Sequence, residues 1–447
     1  MLEMLPKKRR DGDGLVLTRG SWEAIRTSAS TMKLKGKMQF HNTTDGRFDL
    51  FVPECTASTR LLSTKTSTEQ LLVTTMVTPK HDDPDFKPRT DGYWEAYIVP
   101  THGQTSIEIA IEITGFGASK TEDEQLFASV DAAWLNVQYV VYGHHGRTTH
   151  EQKVVLPMKF PDPNVVAIDD EKSESENDSN DNANDQLKDS SKLDQPLFWR
   201  TVKPGLQVLC VPTHLLCHLD DPVNVVKRYV KRHARSGDFV CVGETPLAAM
   251  QGRVRHPKSV NPGFVAKTVC KLFNRFSSVA TACGMQCLVD IVGRTRVVFA
   301  AICAVFARLV GIRGAFYKLA GRQANLIDDV SGQIPPYDQS ITMGPVRVQE
   351  TVDAVESKTN IPCAVVDVND LSRVKGKFLV LGKSKGVDED VARVALLGNP
   401  QGNAAEQTPL VIVRCDPNRR YEILQSAKID EQERKRRERK GVKYKQK

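Results

Sequence analysis

Three observations on the 447-residue chain predict an α+β multidomain protein. Residues 106–113, SIEIAIEI, alternate apolar and polar without a break, which is the period of a half-buried strand. Residues 239–244, FVCVGE, and 409–414, PLVIVR, are short continuous apolar runs of the kind that suit strands covered on both faces. Between these textures lies AIDDEKSESENDSNDNANDQLKDSSKLDQ, residues 167–195. Its dense Asp, Asn, Ser and Glu bury too little apolar surface to offset the entropy of ordering, so a disordered acidic linker is expected there.

The elements follow in chain order. Residues 1–20 read as a basic disordered tail and 21–162 as a β-rich domain, an antiparallel sandwich or barrel. WLNVQYVVY (134–142) and KVVLPMKF (153–160) add β-branched and aromatic strands, and NTTDGR and GHHGR supply turns. The linker takes 163–196, an α/β domain 197–416 and a charged tail 417–447. Within the α/β part, 264–276, 295–310 and 388–398 read as helices, and AVVDVND (364–370) as a strand running into a polar turn. Residues 297–312, VVFAAICAVFARLVGI, are too short to span a bilayer, which needs about 20 apolar residues. A buried or amphipathic core helix is expected, and no membrane span.

Composition is that of an ordinary soluble protein, 40% hydrophobic and 26% charged, with a net charge of +8. The charge sits at the ends. Residues 428–447 hold ten Lys/Arg against four Asp/Glu, and MLEMLPKKRR holds four against one. Nucleic-acid binding through the folded domains is therefore not indicated, although the tails could touch phosphate or an import receptor. Ten cysteines without a CxxC pair and no apolar run after the first charges point to reduced thiols in a cytoplasmic protein. Nuclear import is the second expectation.

Two motifs are decoys. GFGASKT (115–121) lacks the Gly before Lys that a phosphate loop requires and reads as a hairpin loop. CVPTHLLCH (210–218) matches no structural zinc spacing. More informative is SGDFVCVGETPLAAMQGR (236–253), where Gly243 permits close backbone approach while Glu244 and Thr245 offer polar groups at a strand end. VDVNDL (366–371) places Asp367, Asn369 and Asp370 at another strand end, where α/β folds bind ligands and carboxylates suit hard cations. Helix capping by Asn369 or Asp370 explains the same residues.

Taken together, GDFVCVGETPLAAMQGRVRHP, SSVATACGMQCLVD, FYKLAGRQANLIDDVSGQIPPYD, AVVDVNDLSRVKG and GNPQGNAAEQTPLVIVR resemble the coenzyme F-420 gamma-glutamyl ligase family, in a divergent branch of cyanobacterial and algal type. The resemblance covers about residues 198–415 and leaves the β-rich domain aside. It implies a homodimeric enzyme in which GTP phosphorylates a terminal carboxylate and the amine of L-glutamate attacks the acyl phosphate, with divalent metal holding the phosphates. Gly243, Glu244, Thr245, Gly252, Arg253 and Arg322 are then the expected ligand and phosphate contacts. Asp328, Asp329, Asp367 and Asp370 are the expected ligands of Mg²⁺ or Mn²⁺. Gly252 and Arg253 match the family's Gly-Arg, whereas its two lysine positions fall on Thr245 and Ala249. The alternative is a non-catalytic ligand-binding or dimerisation domain that keeps the ligase fold, with the β domain as a protein-interaction module.

Overall fold

The computed structural model describes residues 14–28, 30–44, 48–64, 68–81, 86–89, 93–117, 119–144, 146–169, 196–273, 277–312, 314–328, 334–368, 378–400 and 407–439. The bulk of the expected acidic linker and the outermost residues of both tails lie outside these.

The first segment contains β1 (Leu15–Leu17), β2 (Ser21–Arg26), β3 (Thr31–Asn42), β4 (Leu50–Leu62), β5 (Leu71–Lys80), β6 (Tyr97–Val99), β7 (Gln104–Gly115), α1 (Lys120–Ser129), β8 (Ala132–Gly143) and β9 (Gly146–Pro157). All their pairings are antiparallel. One sheet runs β1-β3-β7-β5 with β2 on β3, and the other runs β6-β4-β8-β9. A single core lies between them, so the expected sandwich is observed. The alternation of β7 explains the layer. Ile107, Ile109, Ile111 and Ile113 are fully buried, while Glu108 and Glu112 face away from that core. GFGASKT departs from the expected hairpin, because Ser119 caps α1 by accepting from the Glu122 amide at 3.2 Å. The loop amide of Gly117 donates to the buried carboxylate of Asp123 at 2.7 Å, so the protein's own anion fills the turn.

Next come β10 (Ala167–Asp169), β11 (Leu197–Lys203), β12 (Leu206–Val211), α2 (Pro222–Tyr229), β13 (Phe239–Gly243) and α3 (Glu244–Met250). The following segment holds β14 (Val254–Arg255), α4 (Phe264–Val269), α5 (Ala282–Val292), α6 (Arg294–Leu309), α7 (Ala315–Ala320) and β15 (Ile341–Thr342). The last holds α8 (Val348–Thr359), β16 (Cys363–Val368), β17 (Phe378–Lys383), α9 (Glu389–Ala395), β18 (Leu410–Cys415) and α10 (Arg420–Arg439).

These elements form two compact units. One comprises 1–159, 217–219 and 253–344, and the other 160–216, 220–252 and 345–447. Residues 253–344 thus group with the β-sandwich, whereas the sequence texture predicts 197–416 as one α/β domain. Inside the first unit, β9 packs on the Pro257–Ser259 turn, and Arg19 donates to the Val254 carbonyl at 3.2 Å.

The second unit is built on a seven-stranded mixed sheet, β10-β11-β12-β18-β13-β16-β17. On one face α9 and Ile423 of α10 close a core over Val208, Cys241, Val366 and Val413. On the other, α2, α3 and α8 close over the sheet and leave only a water-sized apolar gap of about 10 Å³, lined by Val226, Val242, Leu247 and Val365. Both faces are covered, which is why FVCVG carries no polar residue.

Two expectations change here. Part of the charged C-terminal tail is a helix, α10, and its Ile423 is buried because it belongs to that core. The apolar run 297–312 is mostly α6, yet only Val297, Ala300 and Ala301 of that helix are buried. Of the buried and amphipathic alternatives, the buried helix is overturned: packing covers one side of α6 alone, where Val297, Ala300 and Ala301 join a core cluster.

Candidate functional site

The sheet of the second unit gathers polar groups at one edge. β12, β13 and β16 run in the same direction, because β18 lies antiparallel to both β12 and β13 while β13 and β16 are parallel. Val211 and Val242 both pair with Leu410, and Gly243 pairs with Val366. The carboxyl ends of the three strands therefore lie level, the position where open α/β sheets bind ligands.

Gly243 ends β13 and begins α3 with no intervening loop. Its amide donates to Pro409 at 3.0 Å, and a Cβ on it would sit 3.1 Å from the Pro246 ring. The tight turn into α3 thus accounts for the glycine without a ligand. Glu244 is buried at the start of α3, and Thr245 is half-buried beside it. One position past the Gly243 pairing, Asp367 is half-buried on β16, opposite Leu379 of β17. Glu244 and Asp367 thus stand at neighbouring strand ends, and α3 packs against β16. Gln407, which lies just before β18 and accepts from the Thr213 amide at 3.1 Å, holds a left-handed φ of 51°. Backbone strain of this kind collects at functional sites.

The end of β12 adds a group from the string CVPTHLLCH, whose spacing suggests no function. His214 is buried between the Tyr229 hydroxyl, 2.8 Å from Nδ1, and the Asp220 carboxylate, 2.8 Å from Nε2. Burial pushes the Tyr229 phenol up from its ordinary value. Cys210 donates to the Pro400 carbonyl at 2.9 Å, so Cys210 and His214 are both engaged in internal bonds. No spacing rule flags a carboxylate–imidazole–phenol chain, since its members are brought together by a loop and a helix.

Gly252 follows α3 with a φ of 65°, a left-handed conformation that suits glycine, and its amide donates to Ala249 at 2.8 Å. In the first unit Arg253 donates to the Gly344 carbonyl at 2.5 Å and to Gln323 at 3.3 Å, while Gln323 reaches the same carbonyl at 3.2 Å. Burial draws the Arg253 guanidinium down from its usual value. This arginine binds its own chain. Arg322 is exposed and opens a one-turn helix, Arg322–Asn325.

Asp328 forms an isolated bridge with Thr342 through two backbone bonds of 2.8 Å. It keeps solvent access, yet the protein packed around it raises its carboxyl above the ordinary value. Asp329 and Asp370 lie outside the described residues. Asp328 belongs to the first unit and Asp367 to the second, so the expected four-aspartate set is not gathered within one unit. Among the described residues no group of three or more His, Cys, Asp or Glu could hold a metal ion. All ten cysteines are free thiols, and burial holds Cys55 and Cys241 protonated by pushing each up to about 12.

Among solved structures, the GAE domain of GGA2p from Saccharomyces cerevisiae is similar at 9% identity over 34% of this chain and 96% of that one, with a TM-score of 0.19. The yeast GGA1 GAE domain is similar at 12% identity over 33% and 93%, with a TM-score of 0.18. The CupB6 tip adhesin from Pseudomonas aeruginosa is similar at 9% identity over 35% and 60%, with a TM-score of 0.19. No curated protein matches the chain. A family model does match. Residues 16–160, the β-sandwich, are similar to the N-terminal Ig-like domain of F420-0:gamma-glutamyl ligase.

Proposed function

We propose that the protein is a ligase of the gamma-glutamyl type, joining an amino acid to a carboxylate on an anionic small molecule with GTP and Mg²⁺ or Mn²⁺. One observation carries the reading. The family match falls on 16–160 and the sequence resemblance on 198–415, so two non-overlapping parts of the chain point to the same enzyme. The strand-end edge supports it chemically. Glu244 and Asp367 are hard oxygen donors, and Mg²⁺ is commonly held by one or two carboxylates plus substrate phosphates. Asp367 with Asp370 would hold the metal at this edge, and Asp328 with Asp329 is the second candidate pair. A bound divalent ion would screen phosphate charge as the acyl phosphate forms. The reading carries a cytoplasmic protein that dimerises through 197–416.

Calorimetric titration of the full chain with GTP and Mn²⁺ tests it. Wild type should bind, and Asp367→Ala should weaken binding by tenfold or more. No heat from either protein ends the nucleotide reading.

A second reading, a non-catalytic descendant of the ligase fold, is favoured by Thr245 and Ala249 at the family's lysine positions and by Arg253 bonding its own chain. A glutamyl amide detected by mass spectrometry after incubation with L-glutamate, GTP and a deazaflavin carboxylate would remove it.

A further inference from the structure

We propose that the outward face of α6 is a docking surface for an anionic lipid bilayer. The helix packs inward through Val297, Ala300 and Ala301. On the opposite side Phe299, Ile302, Phe306 and Leu309 follow one another at spacings of three, four and three, which is one stripe of a helix. They are 59%, 53%, 65% and 79% exposed. The stripe continues past the helix into exposed Val310 and Ile312. Contiguous large apolar side chains in water mark an interaction surface, whereas scattered ones do not.

Charge identifies the occupant. Residues 253–325 contain twelve Lys/Arg and a single acid, Asp290, which is itself paired with Arg255 at 2.5 Å. The near-neutral middle of the chain therefore conceals a strongly basic block. Arg294 and Arg296 at the start of α6 and Arg308 near its end are exposed, and at 100° per residue Arg294 and Arg296 fall on opposite flanks of the stripe. Lys318 on α7 is exposed as well.

A second copy of the chain is disfavoured, because a two-fold contact sets this basic rim against itself. A nucleic acid would meet the cations and leave Ile302 and Leu309 in water. A bilayer accepts both parts: apolar side chains enter the acyl boundary, and arginines extend to anionic headgroups. Among the described residues no helix is long and apolar enough to cross a membrane, so α6 would lie in the interface plane.

Flotation of the full chain with lipid vesicles tests the surface. Wild type should float with phosphatidylcholine vesicles containing about a third phosphatidylglycerol and not with pure phosphatidylcholine, and salt should weaken it. Phe299→Ser with Phe306→Ser should lower partition about tenfold or more. Arg308→Gln and Lys318→Gln should each lower it about fivefold. Because all four side chains are exposed, every variant should melt as wild type does by circular dichroism. Absence of flotation with anionic vesicles overturns the proposal, as does flotation unchanged by the double Phe variant. A dimer in light scattering that the Phe variant abolishes would make the stripe a self-contact and equally overturn it. Binding to an oligonucleotide that is lost with the cations, without vesicle binding, would do the same.

Discussion

β13 and α6 are both apolar segments, and they meet opposite fates. All five residues of β13 are buried, between β18 and β16 in the plane of the sheet and between helices on its two faces. α6 is packed along one side, and its largest side chains point to solvent. Apolar content states what a segment can bury; the neighbouring elements decide what it does bury.

The comparison can be broken at several points. Phe239→Ala in β13 should cost about 3–5 kcal/mol in urea unfolding, the usual loss for a buried Phe. A loss under about 1 kcal/mol would mean that β13 is not core. Next in size is Asp238, just before β13, whose buried carboxylate meets Arg414 at 2.7 Å and accepts the Arg235 amide at 2.8 Å. Asp238→Ala leaves that guanidinium without its counter-charge and should cost about 3 kcal/mol. Arg414 also stacks 3.8 Å from the Trp199 ring, so Trp199→Ala should weaken the same corner. Gly252→Ala forces an alanine into a left-handed backbone and should cost about 1–2 kcal/mol. At the far end of the scale, Phe299→Ala on α6 should change stability by no more than about 0.5 kcal/mol. Phe→Ala thus separates the two segments with one substitution type.

A pH experiment sharpens the same contrast for polar groups. The Asp328 carboxyl is raised in the folded protein by desolvation, so the folded state holds its proton more tightly than the unfolded chain. Stability is therefore lost as pH rises from the unfolded value, about 3.9, through the higher folded one. Asp328→Asn should be the more stable protein at pH 7, and the gain should vanish below the unfolded value. Mn²⁺ that stabilises wild type and not the Asn variant would identify this carboxylate as a ligand.

Legibility in the sequence followed the range of the interactions. The strands of the sandwich were readable because alternation is local, as with the four Ile of β7. β13, β16 and β18 were readable because full burial leaves continuous apolar runs. The grouping of 253–344 with the sandwich was not readable, since it rests on contacts between distant residues, such as Arg19 with Val254. The exposure of α6 was hidden for the same reason, and the basic block was masked by averaging over the middle of the chain. For the site, Glu244 and Asp367 were named from strand-end chemistry, and their register could be known only from the parallel pairing of β13 with β16. The Asp220–His214–Tyr229 chain carried no spacing signal at all.

Gln251 donates to the Val346 carbonyl at 2.8 Å and accepts the Val346 amide at 2.8 Å. The chain leaves the second unit just after the first of these residues and returns just before the other. The points of departure and return are thus fastened together on the side of the sheet, and residues 253–344 form a closed excursion from the second unit. The Gln251–Val346 pairing closes the path of the sheet across this junction, whatever the length of chain that lies between. The helical stripe and the strand-end groups thus stand on separate stretches of chain, joined through one paired junction.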